Sequence, residues 1–295
     1  MIDFQYPTLQ DKFWVSNILK NCSYYSSDCC FGTIYMWADA YKIKISRHKG
    51  FLLRFYESKE PYYGFPLGNG DLNGAIDLLS KDAKKRNIKF KLLVSNDDMK
   101  ELIVNHVFLK FDYNSNRDIF DYIYSVSDLS KLNGKKYHSK RNHISKFNSL
   151  YNWEYKDINS SNINQCKLFI QKWFNNNILQ KGMDMEKEYH AIFKALDSFN
   201  ELNLLGGIIK VESNIVALTI GEEINKNVFL IHFEKADYNY IGSYTIINKE
   251  FALKHLQSYK YINREEDMGI EGLRKSKLSY HPIELLSKYE AIARE

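Results

Sequence analysis

The chain has 295 residues, 44% of them hydrophobic, which is enough for one large or two ordinary domains with proper cores. Its 15% aromatic content and only 4 prolines argue against a disordered or fibrous protein. A net charge of +5 is too modest for this size to indicate nucleic-acid binding by itself.

The N-terminus, MIDFQYPTLQDKFW, lacks a basic stretch followed by an apolar core, and no apolar run reaches membrane-spanning length. A cytoplasmic protein without transmembrane segments is expected. Cys22, Cys29, Cys30 and Cys166 show neither a CxxC nor paired His spacing, so they read as reduced thiols and no metal site is expected.

In chain order, YKIKISR, GFLLRFYE and PYYGFPLG read as successive antiparallel strands. GDLNGAIDLLSKDAKKRN follows as a helix, IKFKLLVS as a strand, and NDDMKELIVNHVF as a helix capped by Asn or Asp. RDIFDYIYSVSDLS is read as a closing strand. GFPLGNGDLNG is Gly-rich but lacks the Lys-Ser/Thr ending of a P-loop, so it is a strand-to-helix turn.

The second half repeats this order. WEYKDI is a strand, INQCKLFIQKWFNN and DMEKEYHAIFKALDSF are helices, and LLGGIIKVE, NIVALTIGEE and NVFLIHFEK are strands. The helix YIGSYTIINKEFALKHLQ, the short strand YKYINRE and a last helix from about Ile270 to Tyr280 complete it. Two similar mixed halves predict an α+β duplication: an N-terminal domain over 1–130, a basic connecting helix over 131–150, and a C-terminal domain over 151–295.

Two charged stretches stand out. On the last helix Ile270, Arg274, Lys277 and His281 fall in one line flanked by Leu273 and Leu278, so cations share the apolar face, with Asp267 near the helix start. A buried charge requires a partner. Either Glu265, Glu266 and Asp267 neutralise it internally, or a ligand phosphate or carboxylate does. In GKKYHSKRNH, Lys135, Lys136, Lys140 and Arg141 accompany His138 and His143 with no acid. That run is either a solvated helix face or a contact for a phosphate-rich partner, such as an RNA backbone or a lipid head group.

KKYHSKRNHISKF and NREEDMGIEGLRKSKLSYHP, with the element order between them, resemble the family of the C-terminal domain of phosphatidylglycerol lysyltransferases. The resemblance implies a tandem pair of acetyltransferase-type (GNAT) folds, as in the Fem peptidyltransferases. Each would be a mixed, mostly antiparallel sheet that splays between its fourth and fifth strands, flanked by helices. It places NVFLIHFEK as the fourth strand of the second half and YKYINRE as the fifth. Acetyltransferases of this class bind coenzyme A on a [Q/R]-x-x-G-x-[G/A] loop, whereas EKADYNYIGSYT offers only Gly242, so acetyl-coenzyme A is disfavoured. An aminoacyl-tRNA donor is implied instead, with no bound cofactor, and with Lys136, His138, Lys140, Arg141 and His143 facing the tRNA phosphates. Lipid-modifying relatives carry a large membrane-embedded domain ahead of this one, so a soluble acceptor, a peptide or an amphiphile at a lipid surface is expected in place of phosphatidylglycerol.

Direct transfer requires one proton to move and an oxyanion to be stabilised, and no covalent nucleophile. Neither G-x-S-x-G nor a Cys–His signature is present. Glu234 or Asp267 is the expected base or ammonium ligand, and Lys277, Arg274 or a strand N–H the expected oxyanion donor. Arg264, Arg274, His281, Tyr240 and Tyr244 are expected to bind substrate. Against this, Glu234 could pair with Lys235, His232 and His281 with neighbouring groups, and the two tyrosines could fill the core. The competing functional reading is a non-catalytic binder of an anionic metabolite or peptide.

Overall fold

The computed structural model describes residues 1–20, 22–106, 109–177 and 183–294. The chain forms two compact units. The first comprises Met1–Asp121, Glu266–Glu271 and Leu285–Glu295, and the second Tyr122–Glu265 and Gly272–Glu284.

In the first unit, three short helices, α1 (Lys12–Leu19), α2 (Phe31–Met36) and α3 (Ala38–Tyr41), precede the sheet. β1 (Ile43–His48), β2 (Phe51–Tyr56), β3 (Tyr62–Gly64) and β4 (Leu67–Gly68) follow. α4 (Leu72–Arg86) is capped by the Asp71 carboxylate on the Gly74 amide, and α5 (Asp97–Val104) by Asn96 on the Met99 amide. The last two residues of the NDDMKELIVNHVF stretch lie outside the described residues. β5 (Lys91–Val94) and β6 (Phe111–Ser115) are separated in the sheet by β14 (Tyr289–Ala293), giving the order β1-β2-β3-β5-β14-β6 with β4 on β2. β3 and β5 run parallel, joined by α4, while the other pairings are antiparallel.

RDIFDYIYSVSDLS is not one strand. β7 (Asp121–Ser125) ends where the Ser125 hydroxyl accepts the Asp128 amide and starts α6 (Val126–Lys131). The Ser-x-x-Asp spacing is an N-cap signal that overrides the aromatic run before it. α7 (His138–Leu150) is the basic helix. β8 (Trp153–Asp157), α8 (Ile163–Asn177), α9 (Met183–Asp197), β9 (Leu205–Val211), β10 (Asn214–Asn225), β11 (Val228–Ala236), α10 (Ser243–His255), β12 (Tyr261–Asn263), α11 (Glu271–Leu278) and β13 (Glu284–Leu286) complete the chain. The second sheet has the order β13-β7-β12-β11-β10-β9-β8. Its buried face packs Ile209, Val211, Val216, Ala217 and Ala236 against Ile246 and Ile247 of α10 and Phe147 of α7.

Both sheets are therefore mixed and flanked by helices, and each contains a strand–helix–parallel strand crossover. In the second unit that crossover is β11–α10–β12.

Candidate functional site

β11 and β12 pair only over Val228, Phe229 and Leu230, opposite Tyr261, Ile262 and Asn263. β11 continues to Ala236 on β10 alone, so the sheet opens on one side beyond Leu230. At the opening the ladder is interrupted: Gly221 faces Ile231 and Ile220 faces Phe233, leaving His232 as the extra residue of a bulge.

Glu234, on the splayed end of β11, faces Arg264, which directly follows β12. Arg264 Nη2 donates to Glu234 Oε1 at 2.8 Å, and Asn248 Nδ2 of α10 donates to Oε2 at 3.1 Å. The pair is nearly out of solvent, with side-chain exposures of 10% and 9%. Arg264 lies over the rings of Tyr280, at 4.9 Å, and Tyr124, at 5.6 Å. Its Nη1 is buried with no hydrogen-bond partner, as is Asn248 Oδ1. A buried donor left unpaired is costly, so this nitrogen calls for a structural reason.

Lys140 reaches the same place from α7. Its Nζ donates to Ser279 Oγ at 2.7 Å and stands 3.8 Å from the centre of the Tyr280 ring, which also carries the Arg264 guanidinium. Arg264, Lys140, Glu234, Tyr124, Tyr280 and Asn248 thus form one cluster with two cations and one carboxylate.

Arg264 is held from behind. Lys277 is buried, and its Nζ donates to the carbonyls of Arg264, at 2.5 Å, and Glu265, at 3.1 Å. Glu265 has φ 55° and gives its carboxylate to His232 Nδ1 at 3.2 Å, while Glu222 takes His232 Nε2 at 2.9 Å. Burial alone would push the His232 imidazole down, but hydrogen bonds to Glu222 and Glu265 outweigh it and raise it to about 9. His232 is therefore an imidazolium between two carboxylates.

The predicted residues are distributed differently from expectation. Glu234 and Arg264 meet, and Lys277 supports them through the backbone. Asp267 belongs to the first unit, fully buried, where its carboxylate pairs with Arg117 at 3.3 Å and accepts the Gly269 amide at 2.9 Å. α11 ends at Leu278, so the expected line of cations breaks: Lys277 is buried, Arg274 half-buried, and His281 exposed with φ 52° and its Nε2 3.2 Å from the Lys136 carbonyl. Leu278 is 43% exposed, so the face that carries Arg274 is not an apolar stripe.

Of the acids expected to neutralise that face, Glu265 gives its carbonyl to Lys277 Nζ at 3.1 Å, and Glu266 lies 3.6 Å from Lys288 Nζ. Tyr240 lies before α10, not one turn from Tyr244 within it, and packs on Tyr151 at 5.2 Å. Tyr244 packs on Tyr238 at 5.2 Å, and burial, then Tyr238, raises its hydroxyl. On the basic segment Lys136 pairs with Asp128 at 2.9 Å, and Arg141 donates to the carbonyls of Leu132 and Gly134, closing the end of α6. His138 and His143 are exposed on α7. A shallow polar cavity of about 420 Å³ lined by Tyr155, Asn162, Lys210 and Lys254 among others lies in the same unit and shares no residue with the cluster.

Sequence reasoning missed Lys140 as a member of the cleft. A signal was there: Tyr137, Lys140, Ile144 and Phe147 fall on one face of α7, so Lys140 is the cation on that helix's inward stripe.

The loop after β11 closes on itself. The amides of Asn239, Tyr240 and Ser243 bond within the loop, and those of Thr245 and Ile246 bond to the Gly242 carbonyl. Gly242 has φ 94°, and a Cβ there would lie 2.6 Å from the His143 carbonyl, so α7 sits directly against the start of α10.

Two mixed sheets, each with a parallel crossover, and a split strand pair with convergent polar groups define a tandem protein of the acetyltransferase fold class. A GNAT-family acetyltransferase from Colwellia psychrerythraea shares that fold, with a TM-score of 0.53 at 8% identity over 100% of both chains. The chain belongs to the family described as phosphatidylglycerol lysyltransferase, C-terminal, whose model matches residues 20–292. It is also similar to a conserved protein of unknown function from Bacteroides thetaiotaomicron, at TM-score 0.94 and 37% identity over 100% of both chains. L-PGS from Bacillus licheniformis has the same fold, at TM-score 0.67 and 13% identity, over 98% of this chain and 92% of that one. An uncharacterized protein of Mycoplasmoides gallisepticum is 26% identical over 171 residues, 57% of this chain and 54% of that protein, so the match spans about half the length of that curated relative. The family is one of transferases. Among the described residues no helix is long and apolar enough to cross a membrane.

Proposed function

We propose that the protein is an aminoacyltransferase that moves an aminoacyl group from aminoacyl-tRNA to a lipid, peptide or small-molecule acceptor at the split between β11 and β12. The observation that carries this reading is the Glu234–Arg264 pair, which leaves a buried guanidinium nitrogen unpartnered at the opening of the sheet in a chain of a lysyltransferase family. Arg264 would hold the ester oxygen or an adjoining phosphate through its spare donor, as a preorganised cation in a dry site does for developing negative charge. Glu234 would receive the donor's ammonium. The loop before α10 has Gly242 as its one glycine and lacks the [Q/R]-x-x-G-x-[G/A] pattern that cradles a pyrophosphate, which favours an aminoacyl-tRNA donor over acetyl-coenzyme A. The exposed basic residues Lys135, in the turn ahead of α7, and Arg141, His143 and Lys146, on α7, suit a phosphate backbone.

A second reading has one observation in its favour. Two cations against one carboxylate would serve a non-catalytic site for an anionic metabolite or peptide equally well.

The test is transfer of radiolabel from a mixed pool of charged tRNAs to lipid, peptide and soluble extracts. Label in a new product, lost in an Arg264→Leu, Glu234→Leu variant that still folds, supports the transferase. Absence of transfer together with failure of charged tRNA to bind would favour the anion-binding reading.

A further inference from the structure

Lys140 differs from every other cation of its segment. Lys135, Lys136 and Lys146 are exposed, and Arg141 closes the end of α6, whereas Lys140 is half-buried beside the split. One of its N–H groups is fixed on Ser279 Oγ, and Ser279 spends its own proton on the Ser276 carbonyl at 2.6 Å. Ser279 can therefore only accept from Lys140, which orients Nζ without competing for its lone pair. The Tyr280 ring below Nζ is shared with Arg264, and Glu234, the carboxylate of the cluster, is already bonded to Arg264 and Asn248.

On the reading proposed above, we infer that Lys140 is the proton acceptor of the transfer reaction. The acceptor's lone pair forms the new bond to the ester carbonyl carbon, and the acceptor's proton passes to Lys140 Nζ. The ester C–O bond breaks, and the departing ribose oxygen takes the proton back from the Lys140 ammonium. Lys140 ends the cycle as it began, and no further reactant is consumed. The environment suits this role: burial first, then the Arg264 charge, lowers the ammonium to about 8, partly opposed by Glu234. A general base works best when it titrates near the operating pH.

The experiment has two parts. Competitive labelling of the full chain with trace acetic anhydride across the range from neutral to alkaline pH, read by peptide mass spectrometry, should give Lys140 a midpoint near 8, well below the ordinary lysine value of 10.5. A midpoint at that ordinary value, or no labelling of Lys140 at any pH, overturns the assignment without recourse to a variant. In the transfer assay, Lys140→Arg keeps the charge but cannot accept a proton. Its kcat should fall roughly 100-fold or more with KM for charged tRNA little changed. An unchanged kcat removes Lys140 from the mechanism and leaves the aminoacyltransferase reading standing, whereas absence of transfer by the unmodified chain sinks both.

Discussion

Arg264 Nη2 and Glu234 Oε1 meet at 2.8 Å across the gap where β11 and β12 part, so an ion pair stands where sheet hydrogen bonds stop. Removing one member strands the other. Glu234→Ala should destabilise the second unit by about 3–5 kcal/mol, the range for breaking a buried pair. Replacing both residues by Leu should return most of that stability, because neither charge is then left uncompensated. Denaturant titration of the single and double variants, followed by fluorescence, checks both statements. A double variant as unstable as the single one would show that the pair does not act as a unit.

His232 gives the stability a defined pH dependence. Its imidazole is raised from an ordinary 6.5 to about 9 in the fold, so its contribution is complete below about 6.5 and is lost as pH rises through about 9. Unfolding free energies measured between neutral and alkaline pH should decline in the native chain. The decline should flatten in His232→Gln, which cannot be charged. An equal slope in both would place the titration elsewhere.

Most of the fold was legible, because apolar periodicity and caps such as Asp71 and Asn96 are local signals. What was not legible came from partners far apart in sequence. β6 and β14 carry exposed and mixed residues; β6 makes sense as a strand beside β14, and β14 between β5 and β6. The helix α6 was hidden by the β-prone YIYSV ahead of it, although Ser125 marked its start. At the site, Glu234 and Arg264 were foreseen individually but not as a pair. Arg274, Lys277 and His281 align only on a helix running past Leu278, where α11 ends.

In the first unit Lys288 is nearly buried between Asp121 at 2.9 Å, Asp28 at 3.2 Å and Ser27 Oγ at 3.1 Å. Lys288→Met would leave two carboxylates facing each other in a dry place, at a cost of about 3–5 kcal/mol. The loss should be seen in the emission of Trp14 and Trp37, which belong to that unit, before that of Trp153 and Trp173. Simultaneous loss of all four signals would argue against separate units.

If α7 and the turn ahead of it meet a phosphate backbone, charge reversal on their outer face should act electrostatically. Lys135→Glu and Lys146→Glu should leave the melting temperature within a degree or so, since surface changes of this kind are nearly neutral. Each should weaken charged-tRNA binding and make its salt dependence shallower by about one unit of slope. Filter binding across a salt series measures this, and an unchanged slope would remove the helix from the interface.

β14 lies between β5 and β6, pairing Tyr289 with both Val94 and Ser115. On the ribosome, then, the sheet that starts first finishes last. While more than half of the chain is still being made, β5 waits with an open edge and β6 without the neighbour that fixes it, a state prone to wrong pairings. Vectorial synthesis thus gives the earliest sheet the latest completion, and a chain stopped just before Tyr289 would release an intact second unit attached to a first that cannot close.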